Sequence, residues 1–370
     1  MSKIIITDFR ELYDFKGVTF NNIKLNEVKK ELVKCLLNNN CDQSLYWTCD
    51  ILLSCNYIVL WEIYFYLLSN IISTSNLKFI NFLYKKYNDF KDIINKCSKM
   101  IEILNLRTNE QVINIFTDIT VFICCTKKNN LIDYKKLYIK NFNFDKINNI
   151  LKAPNINYVN NYFKDGEPKE LYIILNEFIY NLEENNELEA YKWVYIYLDY
   201  YDKCKKNNII LLCEDRSNII DYINKLNNTS KNHPIWILWS ILLQKCMNNE
   251  KIITYNYIKK LLHFYLIQFS QSKIKTRINL LFFSIKIFLI NENSEQFNIP
   301  ILYDKNSYFE LVNISRKSFF NIIKKINNSY LKDNKNIISQ KLKKNDKVTE
   351  SFNKLKVLDN IMFNKNSKEE

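Results

Sequence analysis

Two histidines, ten cysteines and a scatter of carboxylates are the residues in this chain with which covalent or acid–base chemistry would have to be done. Nucleophilic catalysis by a cysteine needs a base within hydrogen-bond reach. His233 stands directly before Pro234 at the start of an apolar run, where a loop role is natural. His263 closes the basic run Lys259-Lys260-Leu261-Leu262-His263. Neither context singles out a catalytic pair, and no catalytic residue is expected. The cysteines (Cys35, Cys41, Cys49, Cys55, Cys97, Cys124, Cys125, Cys204, Cys213 and Cys246) form no CxxC pair. With two histidines the spacing of a zinc finger is missing, so neither a metal nor a cofactor is expected. Glu62 beside Trp61 lies in an apolar stretch, where a carboxylate is costly unless paired. It is expected to face solvent or to accept hydrogen bonds from a basic side chain. Glu183, Glu184, Glu187 and Glu189 flank a turn and a helix start, where they complement the helix dipole without a metal.

The basic residues offer a different chemistry, anion recognition. The formal charge is +14 and the sequence pI about 9.1. Lysine pairs recur at helix ends, and Lys127-Lys128 at a helix C-terminus fits the dipole alone. Lys273, Lys275 and Arg277 instead open a helix, against that preference. Five of the 53 basic residues are arginine (Arg10, Arg107, Arg216, Arg277, Arg316), so each retained guanidinium hints at a geometric need. Such a need is met by bidentate binding to carboxylate or phosphate, inside the protein or on a ligand. Arg107, Lys127, Lys128, Lys273, Lys275 and Arg277 are the candidate anion or partner contacts. Trp47, Trp61, Trp193, Trp236 and Trp239 all lie in apolar helical context and are expected to be packing anchors.

The elements that must position these residues are helices. The chain has 370 residues, 47% hydrophobic and 15% aromatic, which excludes wholesale disorder. Two glycines and four prolines starve a β-sandwich of its turns and rule out a glycine-rich nucleotide loop. Asn, Lys, Ile, Tyr and Phe abound while alanine occurs at Ala153 and Ala190 alone, a bias that fits an A/T-rich genome and explains part of the lysine. The fold expected is all-α, helical hairpins stacked in two related units.

Periodicity predicts an irregular lead-in over 1–22 with a short extended stretch at Ile4–Ile6, then a helical unit over 23–126. Its helices run about Leu25–Leu37, Gln43–Cys55 (capped by Asp42), Tyr57–Ile72, Asn76–Met100, and a fifth opened by a capping box with Thr108 as cap and Gln111 three residues on. Residues 127–167 read as a connection with a short helix at Asp145–Leu151. A second unit over 168–330 carries helices at about Pro168–Leu182, Glu187–Lys205, Pro234–Cys246, Ile252–Phe269, Lys273–Ile290 and Ser307–Lys325. Residues 331–370, lysine-rich, read as a loosely ordered charged tail with an amphipathic helix through Phe352, Leu355, Leu358 and Met362. Tyr57–Thr74 and Ile278–Ile290 are apolar, but the first carries Glu62 and Asn70 and the second is short and contains Lys286, so no membrane span is expected. Glu31, Leu36, Asn39 and Asn40 align without a gap with Glu177, Leu182, Asn185 and Asn186. Beyond the turn Trp47 aligns with Trp193, which reads as an internal duplication of a helix–turn–helix unit.

Two resemblances rest on these residues. The stretch Leu32–Leu53, with Ser44-Leu45-Tyr46-Trp47 after its turn, resembles the helical collar of clamp-loader-type AAA+ proteins. No Walker A, Walker B or sensor arginine accompanies it, and no ATPase activity carries over. Most of the chain is similar to a helical protein family of large DNA viruses of protists, the mimivirus-like group. Leu45-Tyr46-Trp47, Leu60-Trp61-Glu62-Ile63, Leu106–Glu110, Ala190–Trp193, Pro234–Trp239, Lys275-Thr276-Arg277 and Phe297–Ile301 carry that likeness. Where relatives tend to have Tyr-Trp, this chain has Lys192-Trp193. The resemblance implies a viral, A/T-rich genome and an all-α fold, and it implies no activity. The function expected is that of a non-enzymatic scaffold or adaptor that binds another protein, the alternative being a factor that uses the basic clusters to bind DNA or RNA. The N-terminus lacks a secretory h-region, so the setting expected is intracellular (host cytoplasm, viral factory or virion), with the thiols reduced.

Overall fold

In the computed structural model, which describes residues 6, 8–129, 144–301 and 305–334, the protein is all-α. The helices are α1 Leu25–Leu37, α2 Cys41–Leu53, α3 Tyr57–Leu67, α4 Lys78–Ile94, α5 Met100–Asn105, α6 Glu110–Cys125, α7 Leu171–Glu183, α8 Glu187–Lys206, α9 Asn228–Lys231, α10 Ile235–Asn248, α11 Ile252–Leu266, α12 Lys273–Thr276, α13 Ile278–Leu289, α14 Glu295–Asn298 and α15 Lys305–Asp333. Among the described residues there is no strand; the single β-bridge joins Val18 and Lys24. Ile4 and Ile5, the middle of the 127–167 connection and the tail beyond Asn334 lie outside the described residues, as does the amphipathic helix expected there.

A chain this poor in glycine still has to end its helices, and asparagine does much of that work. Asn39, Asn185 and Asn208 have φ of 57°, 53° and 59°. In each case the next residue's N–H reaches back to a carbonyl five residues earlier: Asn40 to Cys35, Asn186 to Asn181, Ile209 to Cys204. That is the left-handed cap usually given to glycine, which asparagine tolerates better than other residues. The α1–α2 and α7–α8 hairpins therefore turn in the same way at the aligned Asn-Asn pairs. Their tryptophans differ, since Trp193 is buried and Trp47 half-buried against Tyr46.

Several boundaries differ from the periodicity. The cap of α6 is Asn109, whose Oδ1 accepts the Val112 N–H at 3.1 Å, whereas Thr108 Oγ1 donates to the Asn105 carbonyl. Asn40 rather than Asp42 caps α2, accepting the Gln43 N–H. The expected Asn76–Met100 helix ends at Ile94, with a separate α5 beginning at Met100, and Lys273–Ile290 is broken at Arg277. The helix expected at Asp145–Leu151 is a 3-10 turn at Phe144–Asn149. Tyr57–Ile72 stays helical but closes in a π turn over Leu68–Ile72.

The described residues group into two compact units, one drawn from 6, 8–57, 93–121 and 309–334, the other from 58–92, 122–129, 144–301 and 305–308. This grouping follows space, whereas the boundaries read from the sequence follow chain order. In the first unit Leu32, Leu36, Leu45, Leu52, Phe116 and Phe319 form the core, and Arg10 lies over the rings of Phe15, Phe20 and Tyr330 at 4.7, 4.4 and 4.2 Å. In the second, α13 packs on α8, α10 and α11, which is why it is apolar nearly all round. Trp61 sits among Tyr64, Phe65, Tyr87 and Phe90, and Trp236 and Trp239 against Tyr265. By length and composition Tyr57–Ser75 would reach across a bilayer, but 67% of its apolar window is buried in the protein, as for a core helix.

Candidate functional site

The candidate cations are drawn into the protein's own frame. Arg107 is buried and its Nη1 donates to Asp8 at 2.8 Å. The other oxygen of Asp8 accepts from Arg10 Nε at 2.9 Å. Burial works to raise the Asp8 pKa, but the two arginines outweigh it and hold the carboxyl below its ordinary value. Arg277 grips Glu62 through Nε at 3.2 Å and Nη2 at 2.5 Å. Its Nη1 meanwhile donates to the carbonyls of Tyr265 at 2.8 Å and Ile267 at 2.5 Å, at the end of α11. One planar guanidinium thus closes a helix C-terminus and neutralises a carboxylate, which an ammonium cannot do with the same geometry. Lys273 Nζ stands 3.5 Å from Glu62 as well. Burial pushes the Glu62 pKa up, yet the hydrogen bonds and charges of Arg277 and Lys273 prevail and lower it. Of the two roles expected for Glu62, the hydrogen-bonded one is found.

Lys275 pairs with Asp202. Lys128 Nζ donates to the Ile123 carbonyl at 2.7 Å and so caps α6, and its desolvation lowers its pKa. Lys127 and Lys275 are the exposed members of the set, and Lys127 is the one that no carboxylate holds among the described residues. The structure therefore brings Lys273 and Arg277 together, on an internal carboxylate, and gives Arg107, Lys128 and Lys275 separate internal partners. Of the tryptophans, Trp61, Trp193, Trp236 and Trp239 are core residues, and Trp236 Nε1 donates to the Ser230 carbonyl at 2.7 Å.

The histidines are likewise held by packing. His263 sits edge-on among Tyr84, Tyr87 and Tyr222, and burial depresses its pKa to about 4. His233 comes close to a cysteine, since Cys213 Sγ donates to the His233 carbonyl at 3.2 Å. Burial pushes that thiol up to about 12, while burial and the charge of Lys205 bring His233 down to about 4. A thiolate–imidazolium pair requires shifts of the opposite sign. Among the described residues no group of three or more His, Cys, Asp or Glu side chains is placed to hold a metal ion.

Periodicity assigns no element to residues 206–233, and a sizeable cleft lies there, in the second unit. The left-handed cap at Asn208 ends α8 and sends the chain out as the segment Ile209–Cys213, neither helix nor turn. Ile209 is 53% exposed, and from Ile210 on exposure alternates: Ile210 81%, Leu211 6%, Leu212 45%, Cys213 4%. That is strand periodicity in a helical protein. Ile209 N–H donates to Cys204 O and Cys213 N–H to Asn232 O. The N–H and C=O groups of Ile210, Leu211 and Leu212 have no hydrogen-bond partner among the described residues. Behind the segment opens a cleft of about 400 Å³, bordered by Tyr201 and Lys205 of α8, Thr229 of α9, His233 and Gln271. The signal for it was in the sequence, a run of five apolar residues between Asn207-Asn208 and Glu214-Asp215, too short for a helix and matching a strand.

Comparison with protein-family models, with curated proteins and with solved structures finds no match to this chain.

Proposed function

We propose that this protein is a non-enzymatic helical scaffold that binds another protein through the cleft rimmed by Ile209–Leu212, in the infection cycle of a large DNA virus of protists and inside the host cell or virion. The observation that carries the reading is the exposed Ile210 and Leu212 on backbone that pairs with nothing, beside a cleft large enough to take side chains. An apolar surface rimmed by polar residues is a common mark of an interaction site. The basic candidates support the same reading from the other side. Arg107, Lys128, Lys273, Lys275 and Arg277 are engaged by carboxylates or helix carbonyls of the chain itself, so these candidates do not make up a ready phosphate site.

Quantitative affinity capture from cells that make the protein tests this directly, with the wild type set against Ile210→Asp and Leu212→Asp. Both changes are on exposed side chains and leave the fold intact. The proposal expects a defined set of co-purifying proteins to fall at least tenfold with either variant. Equal recovery by wild type and both variants contradicts it.

A further inference from the structure

The cleft has a chemistry as well as a shape. His233 is 2% exposed and lies on its wall, with its ring 4.5 Å from that of Tyr201. Its Nδ1 accepts the N–H of Ile235 at 3.0 Å, at the first turn of α10. A ring nitrogen that accepts carries no proton, so the neutral imidazole holds its proton on Nε2 and Nε2 is a donor. Nε2 has no hydrogen-bond partner. A buried donor left without an acceptor is costly, and a native structure keeps such a group for a reason. The ammonium of Lys205 stands on the same cleft, donating to Gln271 Oε1 at 3.1 Å. No acidic side chain lines the cleft. Asp202, close in sequence, is engaged with Lys275, and Asp215 with Lys231.

The backbone adds a second and independent requirement. Ile210–Leu212 presents unpaired N–H and C=O groups in register with outward Ile210 and Leu212, which is the edge an extended peptide completes as a β-strand. An extended chain with apolar side chains two residues apart meets both. The His233 Nε2–H, without an acceptor among the described residues, and the Lys205 ammonium, with donors to spare beyond Gln271, call for a negative oxygen at the end of that chain. About 400 Å³ accommodates the last two or three residues of a peptide and no folded domain. We infer that the cleft binds the free C-terminal end of a partner protein, its last residues extended along Ile210–Leu212 and its terminal carboxylate received by Lys205 and His233. The inference rests on the protein-binding reading above and names the part of the partner that is bound.

The test uses the full chain, immobilised, and two pools of random nonapeptides, one with free C-terminal carboxylates and the other amidated. Retained peptides are identified by mass spectrometry. The expected result is retention from the free-acid pool alone, enriched for apolar residues at the last and third-last positions. Individual retained peptides should bind at least tenfold more weakly as amides, and Lys205→Met should bring the acid form down to the level of the amide. Ile210→Asp should weaken both forms. Equal retention from the two pools, or none from either, overturns the inference. So does decanoate displacing the retained peptides at equal concentration, which would assign the cleft to a small apolar acid. If carboxylate dependence is absent while capture from cells still depends on Ile210, the inference fails and the scaffold reading stands. If that capture is also indifferent to Ile210, both fail.

Discussion

Each of the five arginines ends on a carboxylate: Arg10 and Arg107 on Asp8, Arg216 on Glu167, Arg277 on Glu62, and Arg316 on Asp118 through a two-bond fork at 2.9 and 2.7 Å. In a chain whose composition favours lysine, the guanidinium survives where its planar donors are needed. Arg216 is the most enclosed, bonded also to the Tyr162 carbonyl and Ser240. Arg216→Met strands the Glu167 charge in the core and should cost about 3–5 kcal/mol in urea unfolding. Adding Glu167→Gln, which still accepts the Lys164 N–H, should recover most of that loss. Asp50 and the two buried histidines give the pH dependence, with opposite signs. Burial raises the Asp50 pKa from an ordinary 3.8 to about 6, against the hydrogen bond from the Asn21 N–H at 3.0 Å and the charge of Arg10. A carboxyl whose pKa is higher folded than unfolded penalises the native state above the folded value. Asp50 alone therefore returns up to about 3 kcal/mol as pH falls from about 6 to about 4. The buried neutral His233 and His263, both depressed from 6.5 to about 4, each remove about as much over the same interval, so net stability should fall. Asp8 and Glu62, with lowered values, add to that fall only below about 4. Asp50→Asn should stabilise the protein at pH 7 and, by removing the opposing contribution, steepen the loss of stability between about pH 6 and about pH 4. The need for geometry at Arg107 and Arg277 was legible from arginine's rarity; that the partner was internal was not, because Asp8 and Glu62 lie 99 and 215 positions away.

Helix ends are where local rules could be read and where they competed. Thr108 and Asn109 are both good caps in adjacent positions, and the sequence offers Gln111 to complete a box from Thr108. The structure chooses Asn109, since Thr108 closes the preceding 3-10 turn with its hydroxyl. Asn109→Ala should then cost about 1 kcal/mol, and Thr108→Ala less than half of that. The helix break at Arg277 was invisible to periodicity because Lys273–Ile290 keeps an apolar stripe through it. Only the guanidinium's three-way grip on Glu62 and the α11 carbonyls explains it. Arg277→Lys keeps the charge but not that grip, and about 2 kcal/mol should be lost in chemical unfolding. At the exit of α8, Asn208→Gly should be neutral within about 0.5 kcal/mol, whereas Asn208→Val should cost about 1–2 kcal/mol and displace the segment that follows. The Asn-Asn turns were readable as turns, and the left-handed residue within each follows from glycine's absence. The strand-like segment after Asn208 was missed because an unpaired strand has no partner in the sequence to announce it.

At the scale of the whole chain, composition decided the fold class: with so little glycine and proline and so much aliphatic and aromatic surface, packed helices were the available solution. Composition was a poor guide to function for the same reason. A formal charge of +14 invites a polyanion, yet most of the candidate cations hold the helices and their ends together. Lys127, exposed and held by no carboxylate among the described residues, and the exposed apolar Ile210 are thus the two positions at which the competing readings part. A photo-cross-linking amino acid placed at each in turn, in cells that make the protein, discriminates between them most directly. A discrete protein adduct from position 210, with no nucleic acid attached at 127, is the predicted outcome; nucleic acid joined at 127 with position 210 silent would contradict it.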